Sequence, residues 1–249
     1  MRLPKLSALL ALLVLAACAP EPDQGPTVLA ASSTQEALEA VADDWAATGH
    51  PRPVLSFAAT PAIARQVESG APADLVLTAD REWMDWLEER GLLAGEPFPV
   101  ASNGLVAVAP RDSTTPVSLA AFARDAEAGR IALAETSSVP AGRYARAALE
   151  NLGLWQALAP RVVPAENVRA ALALVERGEV PLGVVYATDA QASQGVRVIE
   201  RIDSSRHPRI LYFGALVAGS QGREAEAFAA YLGSDAARRR VATYGFGSP

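Results

Sequence analysis

The sequence has few of the side chains that build metal-chelating or redox centres. Its 249 residues include one cysteine, two histidines and 6% aromatic residues, and no run of Lys and Arg stands out. One cysteine excludes an intramolecular disulfide, and so few histidines and cysteines argue against a chelated metal centre. The missing basic block and the formal net charge of −6 argue against a nucleic-acid-binding surface. Half of the residues are hydrophobic, which is enough for one or two packed domains.

The N-terminal segment has the pattern of a bacterial export signal. A short positive stretch precedes an apolar run over residues 6–17, which is shorter than the roughly 20 residues of a membrane-spanning helix. The run ends in L-A-A-C, which resembles the lipobox of bacterial lipoproteins; the alternative is a cysteine placed there by chance. We therefore interpret residues 1–17 as a lipoprotein signal peptide, Cys18 as the lipidation site and residues 18–26 as a lipidated tether. The protein is then exported and held at the periplasmic face of a bacterial membrane.

Strand and helix patterns alternate along the rest of the chain. T-V-L-A-A, P-V-L-S-F and A-D-L-V-L-T read as strands, and each precedes a segment whose apolar residues recur at helical spacing. Ser33 and Glu36 have the spacing of a capping box, which predicts the start of the first helix. Thr60 followed by Pro61 predicts the start of the second, because proline needs no N–H at the first helical position.

This alternation predicts an α/β fold. Strands that are apolar throughout are typical of a parallel sheet covered on both faces. A turn containing Pro97 separates two such series, so we expect two lobes, each a mainly parallel sheet flanked by helices. The first lobe is predicted to contain residues 27–103 and 212–249, and the second residues 104–211.

Several predicted helices begin with small or hydroxyl residues directly after a strand. Ser33 and Thr60 do so in the first series, and Pro-Ala pairs at Pro140 and Pro164 do so in the second. In open α/β sheets these loops lie at the carboxyl ends of the strands, where ligands bind. Helix N-termini offer unpaired N–H groups and a partial positive charge, so several together predict an anion site without Lys or Arg. Taken singly, Ser33 and Thr60 also fit ordinary N-caps.

Three longer segments resemble periplasmic molybdate-binding proteins of ABC importers. They begin at Gly70, Val139 and Pro164 and read G-A-P-A-D-L-V-L-T-A-D-R-E-W-M-D-W-L, V-P-A-G-R-Y-A-R-A-A-L-E-N-L-G-L-W and P-A-E-N-V-R-A-A-L-A-L-V-E-R-G-E-V-P-L-G-V-V-Y-A-T-D-A. The resemblance extends from Val28 to the terminal Y-G-F. It implies a two-lobed periplasmic binding protein-like fold with a tetrahedral dianion in the cleft between the lobes.

The resemblance also implies which residues bind the ion. They are the hydroxyl residues Ser33 and Thr60, the backbone N–H groups of Ala141 and Val168, and the phenol of Tyr186. Molybdenum is then bound only as the oxyanion, and no other cofactor is expected. The A-A-T-P turn at Thr60 departs from the serine-rich turn usual in this family, because the following proline lacks an N–H.

The implied function is high-affinity binding of molybdate or tungstate and its delivery to the permease and ATPase of an ABC importer. We expect a monomer that meets the membrane only through its lipid anchor. Sulfate or another tetrahedral oxyanion is the alternative ligand. A hydrolase using Ser32 or Ser33 is disfavoured, because His50 and His207 lie near no motif and no G-x-S-x-G is present. A lipoprotein that senses or scaffolds rather than transports is a further alternative.

Overall fold

The structure is a computed structural model that describes residues 25–114, 118–220 and 222–249. The predicted signal peptide, Cys18 and the tether as far as residue 24 lie outside these ranges. Within them, every helix is too short or too polar to cross a membrane.

Strands and helices alternate through the described residues, as the sequence pattern predicts. In chain order they are β1 (Thr27–Ala31), α1 (Gln35–Ala47), β2 (Val54–Ala58), α2 (Thr60–Glu68), β3 (Leu75–Thr78), α3 (Arg81–Glu88), β4 (Leu93–Asn103), β5 (Leu105–Pro110), α4 (Leu119–Arg124), β6 (Ile131–Ala134), α5 (Pro140–Asn151), α6 (Trp155–Leu158), β7 (Val162–Ala165), α7 (Val168–Glu176), β8 (Leu182–Tyr186), α8 (Ala187–Ala192), β9 (Val196–Arg201), β10 (Ile210–Val217), α9 (Arg223–Leu232) and α10 (Asp235–Ala242).

The strands form two five-stranded sheets, in the orders β2-β1-β3-β10-β4 and β7-β6-β8-β5-β9. Lobe 1 denotes the first sheet with the helices after its strands, and lobe 2 denotes the second. The chain passes from the first sheet to the second between Asn103 and Leu105, and it returns between Arg201 and Ile210. That each lobe is a separate domain with the predicted boundaries stays a prediction.

Both sheets are mixed, which refines the predicted α/β architecture. Strands β1, β2 and β3 are mutually parallel, as are β6, β7 and β8. Strand β10 is antiparallel to β3 and β4, and β5 is antiparallel to β8 and β9. The sequence pattern missed this reversal, because a strand buried on both faces is apolar whichever way it runs.

Strand β4 corrects the prediction of a turn around Pro97. The segment is an 11-residue strand that includes Pro97 and Pro99. It lies at the edge of the first sheet and pairs only with β10 among the described strands. An edge strand tolerates proline, because one of its sides needs no N–H donor.

Hydrophobic residues cover both faces of the sheets. One large cluster contains core residues of both lobes, such as Leu38 and Val106. A second cluster, which includes Ile63, Met84 and Phe213, lies under α2 and α3. Because the faces of both sheets are covered by hydrophobic residues, a ligand site is expected at the ends of the strands.

Candidate functional site

The carboxyl ends of six strands converge on one small cavity. Lobe 1 contributes the residues that follow β1, β2 and β3, and lobe 2 contributes those that follow β6 and β7 and the last residue of β8. The lining consists of residues 31–33, 58–60, 79, 139–141, 167–168 and 186. The cavity volume is about 10 Å³, far below the roughly 300–1,000 Å³ of pockets for drug-sized ligands. It suits a ligand of a few heavy atoms.

All five residues predicted to bind the ion line this cavity. Ser33 and Thr60 lie on the lobe 1 side, and Ala141, Val168 and Tyr186 lie on the lobe 2 side. Each is at most 3% exposed, so a ligand between them is shielded from solvent. The structure therefore brings together residues that are separated by up to 153 positions in the sequence.

Ser33 lies in a 3-10 turn, Ser32–Thr34, between β1 and α1. The predicted capping box with Glu36 is wrong: α1 begins at Gln35 and has no side-chain cap. The Ser33 hydroxyl instead lies 2.9 Å from the phenol oxygen of Tyr212, and the Glu36 carboxylate accepts from Arg169. Tertiary partners have replaced the local ones that the S-x-x-E spacing indicated.

Thr60 is the first residue of α2, and its hydroxyl oxygen accepts a hydrogen bond from the protein backbone. The N–H of Ala79, which follows β3, donates to Thr60 Oγ1 over 3.2 Å. An oxygen that already accepts this bond keeps its own proton to donate into the cavity. The next residue, Pro61, has no N–H. The hydroxyl and N–H of Thr60 are thus the donors that this turn offers.

The entrances of α5 and α7 present backbone N–H groups. No hydrogen bond within the described residues uses the N–H of Ala141 or of Val168. The Asn167 side chain caps α7 by accepting from Ala170 N–H at 2.9 Å, which leaves the first N–H of the helix free. Two such helix ends supply donors and partial positive charge without a cationic side chain.

Gly142 explains how α5 comes so close to the end of β6. A Cβ placed on Gly142 would lie 2.2 Å from the carbonyl oxygen of Ala134 and 2.3 Å from that of Glu135. Only glycine permits this approach. The third residue of the Pro-Ala-Gly sequence therefore sets the position from which Ala141 faces the cavity.

Tyr186 carries a buried hydroxyl with no protein partner. The residue is 1% exposed, and its phenol oxygen makes no hydrogen bond within the described residues. Burial raises the pKa of this phenol well above its usual value, and the nearby Tyr212 adds to the shift. The group is therefore a neutral O–H donor at physiological pH. A buried hydroxyl left unpaired costs about 1–3 kcal/mol, so its position is explained best by a ligand that accepts from it.

None of the described residues that line the cavity is charged, and the Asp189 carboxylate, which contacts Tyr186, pairs with Arg169. Asp189 is fully buried and accepts from Tyr186 N–H at 3.3 Å. Its other oxygen lies 2.7 Å from Arg169 Nε. Burial raises the pKa of the Asp189 carboxyl to about 7, while Arg169 opposes that shift. Because these two charges offset each other, the electrostatic field in the cavity comes mainly from helix dipoles and hydroxyl groups.

Several contacts join the lobes across the cleft. Arg169 of α7 donates to the carboxylate of Glu36 in α1, with Nη1 2.8 Å from Oε1. Arg143 of α5 pairs with Asp80 at 3.4 Å and with Glu82. The indole N–H of Trp83 donates to the carbonyl of residue 138 over 2.8 Å. The lobes are thus closed on each other around the cavity.

A larger groove of about 710 Å³ adjoins the cleft but is a poorer anion site. Its lining includes the carboxylates of Asp80, Glu82 and Glu150, and two of its arginines pair with them. Arg143 bonds to Asp80, and Arg146 bonds to Glu150 at 2.8 Å. An anion there would have to compete with carboxylates for the arginines. The lining of the small cavity offers hydrogen-bond donors and contains no carboxylate.

Neither histidine is placed to serve Ser32 or Ser33 as a base. His50 stacks on Trp45 and bonds to Glu224 at 2.9 Å, and His207 Nδ1 bonds to its neighbour, the carbonyl of Pro208. Both lie outside the cavity lining. Neither histidine is therefore available as a general base for these serines.

Sequence reasoning missed the residues behind the cavity wall. Tyr212 contacts Ser33 from the middle of β10, and Arg169 bridges the lobes. The only signal for Tyr212 is a tyrosine within the otherwise apolar segment I-L-Y-F-G-A-L-V. A polar group at a buried strand position needs a partner, which identifies the residue as a candidate but does not name its partner.

Comparison with known proteins gives a consistent result. Residues 26–247 match the family of bacterial extracellular solute-binding proteins. The molybdate-binding protein ModA of Escherichia coli (strain K12) is 40% identical over 230 residues, which cover 90% of each chain. The putative ABC transporter substrate-binding lipoprotein YvgL of Bacillus subtilis (strain 168) is 34% identical over 224 residues, covering 88% of this chain and 85% of that protein. The structure of the Azotobacter vinelandii periplasmic molybdate-binding protein superposes with a TM-score of 0.81 and 21% identity, over 90% of this chain and 99% of that one; it shows the same fold.

Proposed function

The chain belongs to the family of bacterial extracellular solute-binding proteins, and we propose that it binds molybdate and tungstate and delivers them to an ABC importer. The observation that carries this proposal is the unpartnered phenol of Tyr186 inside a cavity of about 10 Å³. The identity to molybdate-binding proteins over nearly the whole chain supports it, and so do the three segments that resemble the same family.

The donors around the cavity favour an oxyanion without a proton. Ser33, Thr60, Ala141, Val168 and Tyr186 offer hydroxyl or N–H groups. Molybdate, tungstate and sulfate carry two charges and only acceptor oxygens, so every oxygen can be satisfied. Monohydrogen phosphate has one O–H, which such donors would leave unpaired at a cost of about 1–3 kcal/mol.

Size separates the remaining ions. The metal–oxygen bonds of molybdate and tungstate are nearly equal in length, and the bonds of sulfate are shorter. A rigid cavity fitted to the larger ions cannot contact all four oxygens of sulfate at hydrogen-bonding distance. The methyl group of Thr60 and the missing N–H of Pro61 act on this fit from the lobe 1 side.

The transport role requires export and release. We infer that residues 1–17 direct export, that Cys18 carries the lipid anchor and that the protein acts as a monomer outside the cytoplasm. The lobes open by a hinge motion, close over the ion and present the closed form to the permease. The protein acts as a binding protein without catalysis, and the ion is its cargo, so no cofactor is needed.

Calorimetric titration of residues 19–249 tests the ligand. All described strands and helices lie after residue 26, so this form keeps the whole fold. We expect submicromolar dissociation constants for molybdate and tungstate, which correspond to more than about 8 kcal/mol. Five charge-assisted donors at roughly 1.5–3 kcal/mol each supply that energy after ordering costs. Sulfate is expected to bind at least about a hundredfold more weakly, and phosphate more weakly still.

Two outcomes would contradict this proposal. Sulfate binding as tight as that of molybdate would mean that the A-A-T-P turn has fitted the cavity to the smaller ion, as in the alternative of a sulfate-binding protein. Failure of all four ions to bind would remove the transport function and favour a sensing or scaffolding lipoprotein.

A further inference from the structure

Tyr212 lies directly behind the Ser33 side of the cavity. It is fully buried in β10, and its phenol oxygen is 2.9 Å from Ser33 Oγ. Its ring packs edge-on against Tyr186 and Phe246, with centroid distances of 6.0 and 5.4 Å. Burial raises the pKa of its phenol above the usual value. Tyr212 is therefore a fixed, neutral hydroxyl with one proton to give.

Asn103 determines the direction of the hydrogen bond between Tyr212 and Ser33. Its Oδ1 accepts from Gly104 N–H at 2.9 Å, so the amide nitrogen is the end that faces the interior. That nitrogen donates to Thr188 Oγ1 over 2.9 Å and to Tyr212 Oη over 3.2 Å. The phenol oxygen of Tyr212 thus already accepts one hydrogen bond from Asn103.

The remaining bond must run from Tyr212 to Ser33. If Ser33 donated instead, the Tyr212 oxygen would accept twice and its own proton would have no acceptor among the described residues. A buried donor without an acceptor costs about 1–3 kcal/mol. With Tyr212 donating, Ser33 Oγ accepts, and its own proton is free for the cavity.

We propose that Tyr212 is a positioning residue that holds the Ser33 hydroxyl in its donor orientation and so makes this wall of the cavity select oxyanions without a proton. The inference rests on the proposed function, because it concerns how the same cavity discriminates its ligands. Asn103 ends β4 where the chain leaves lobe 1, and Thr188 belongs to α8 of lobe 2. The hydrogen bonds that orient Ser33 therefore connect to both lobes, at the point where the polypeptide passes from lobe 1 to lobe 2.

A double-mutant cycle tests the role. Tyr212→Phe keeps the ring packed and removes the donor, whereas Ser33→Ala removes the group that Tyr212 orients. Molybdate is titrated into the wild type, both single variants and the double variant. We expect each single variant to bind roughly tenfold more weakly, as loss of one hydrogen bond to a charged group predicts. The double variant should bind no more weakly than Ser33→Ala, because Tyr212 acts only through Ser33.

Selectivity gives a readout that packing alone would not change. In Tyr212→Phe the Ser33 hydroxyl is free to turn and accept a proton, so it can pair with the O–H of monohydrogen phosphate. Inorganic phosphate is measured by displacement of molybdate at neutral pH. The ratio of the phosphate to the molybdate dissociation constant should fall roughly tenfold. The O–H of phosphate gains an acceptor in this variant, whereas molybdate loses a donor. Tyr231→Phe, a change in α9 away from the cavity, should leave the ratio unchanged.

Asn103→Asp is the second variant, and it keeps the test valid if Tyr212→Phe folds poorly. An added acceptor beside Tyr212 draws the phenol proton away from Ser33, so the variant should weaken molybdate binding by a smaller factor in the Ser33→Ala background than in the wild type. Additive losses in both cycles, with an unchanged phosphate ratio, would overturn the positioning role. Absence of molybdate binding by the wild type would overturn the proposed function itself, and the two failures are thereby distinguished.

Discussion

Val168→Pro is expected to weaken molybdate binding by roughly 10- to 100-fold, because it deletes one N–H that we propose binds the ion. A hydrogen bond to a charged group is worth about 1.5–3 kcal/mol. Val168 is the first residue of α7, where proline fits the helix and no intrahelical bond is lost. The preceding residue, Asn167, has φ −151° and ψ 175°, the extended conformation that a residue before proline adopts. The substitution therefore removes a donor with little other change to the backbone.

Val168→Ala is the matched control, since it shortens the same side chain and keeps the N–H. Its affinity for molybdate should stay within about threefold of the wild type, because a backbone donor does not depend on the side chain. Both variants are titrated by calorimetry, and their thermal unfolding without ligand is compared to confirm that α7 has formed. Equal affinities of the two variants would show that the Val168 N–H does not contact the ion.

Tyr186→Phe is expected to separate affinity from stability. Molybdate binding should fall roughly 10- to 100-fold, since the phenol donates one charge-assisted bond to the ion. The ligand-free protein should keep its unfolding temperature or gain a little, because its buried phenol oxygen has no partner in the described residues. Replacing an unsatisfied buried hydroxyl with hydrogen removes a desolvation cost of about 1–3 kcal/mol.

Tyr144→Phe serves as the control for this second substitution. Tyr144 is a partly buried residue of α5 that lies outside the cavity lining, so its affinity for molybdate should match that of the wild type. The measurement is a titration together with a thermal melt in the absence of ligand. A large loss of stability in ligand-free Tyr186→Phe would show that the phenol has a structural partner, and an unchanged affinity would remove Tyr186 from the site.

The sequence pattern itself indicates the helix entrances at Ser33, Thr60, Pro140 and Pro164, because those signals are local, whereas the roles of Ala141, Val168 and Tyr186 are implied by the family resemblance. Each of Ser33, Thr60, Ala141 and Val168 lies where an apolar strand gives way to a helix, and Tyr186 ends the strand L-G-V-V-Y. Strand ends and helix starts have local residue preferences that can be recognised in the sequence. That the five meet in one cavity depends on the parallel strands in each sheet and on the contacts that close the two lobes on each other.

What the sequence could not provide depends on partners distant along the chain. The S-x-x-E spacing of Ser33 and Glu36 predicts a cap, but both side chains bond to residues more than 130 positions away. The prolines of β4 suggest a turn, and only its place at a sheet edge makes a strand acceptable. In each case a tertiary contact outweighs a local preference worth about 1 kcal/mol.

The contacts across the cleft have a kinetic consequence. With the cavity residues at most 3% exposed, an ion held between them is shielded from water while Arg169 bonds to Glu36, Arg143 bonds to Asp80 and the Trp83 indole bonds to the opposite loop. The residence time of the ion is then set by how often these protein–protein bonds break together, rather than by the strength of the bonds to the ion alone. A membrane partner that draws the two arginines towards its own carboxylates would shorten that time without touching the ion.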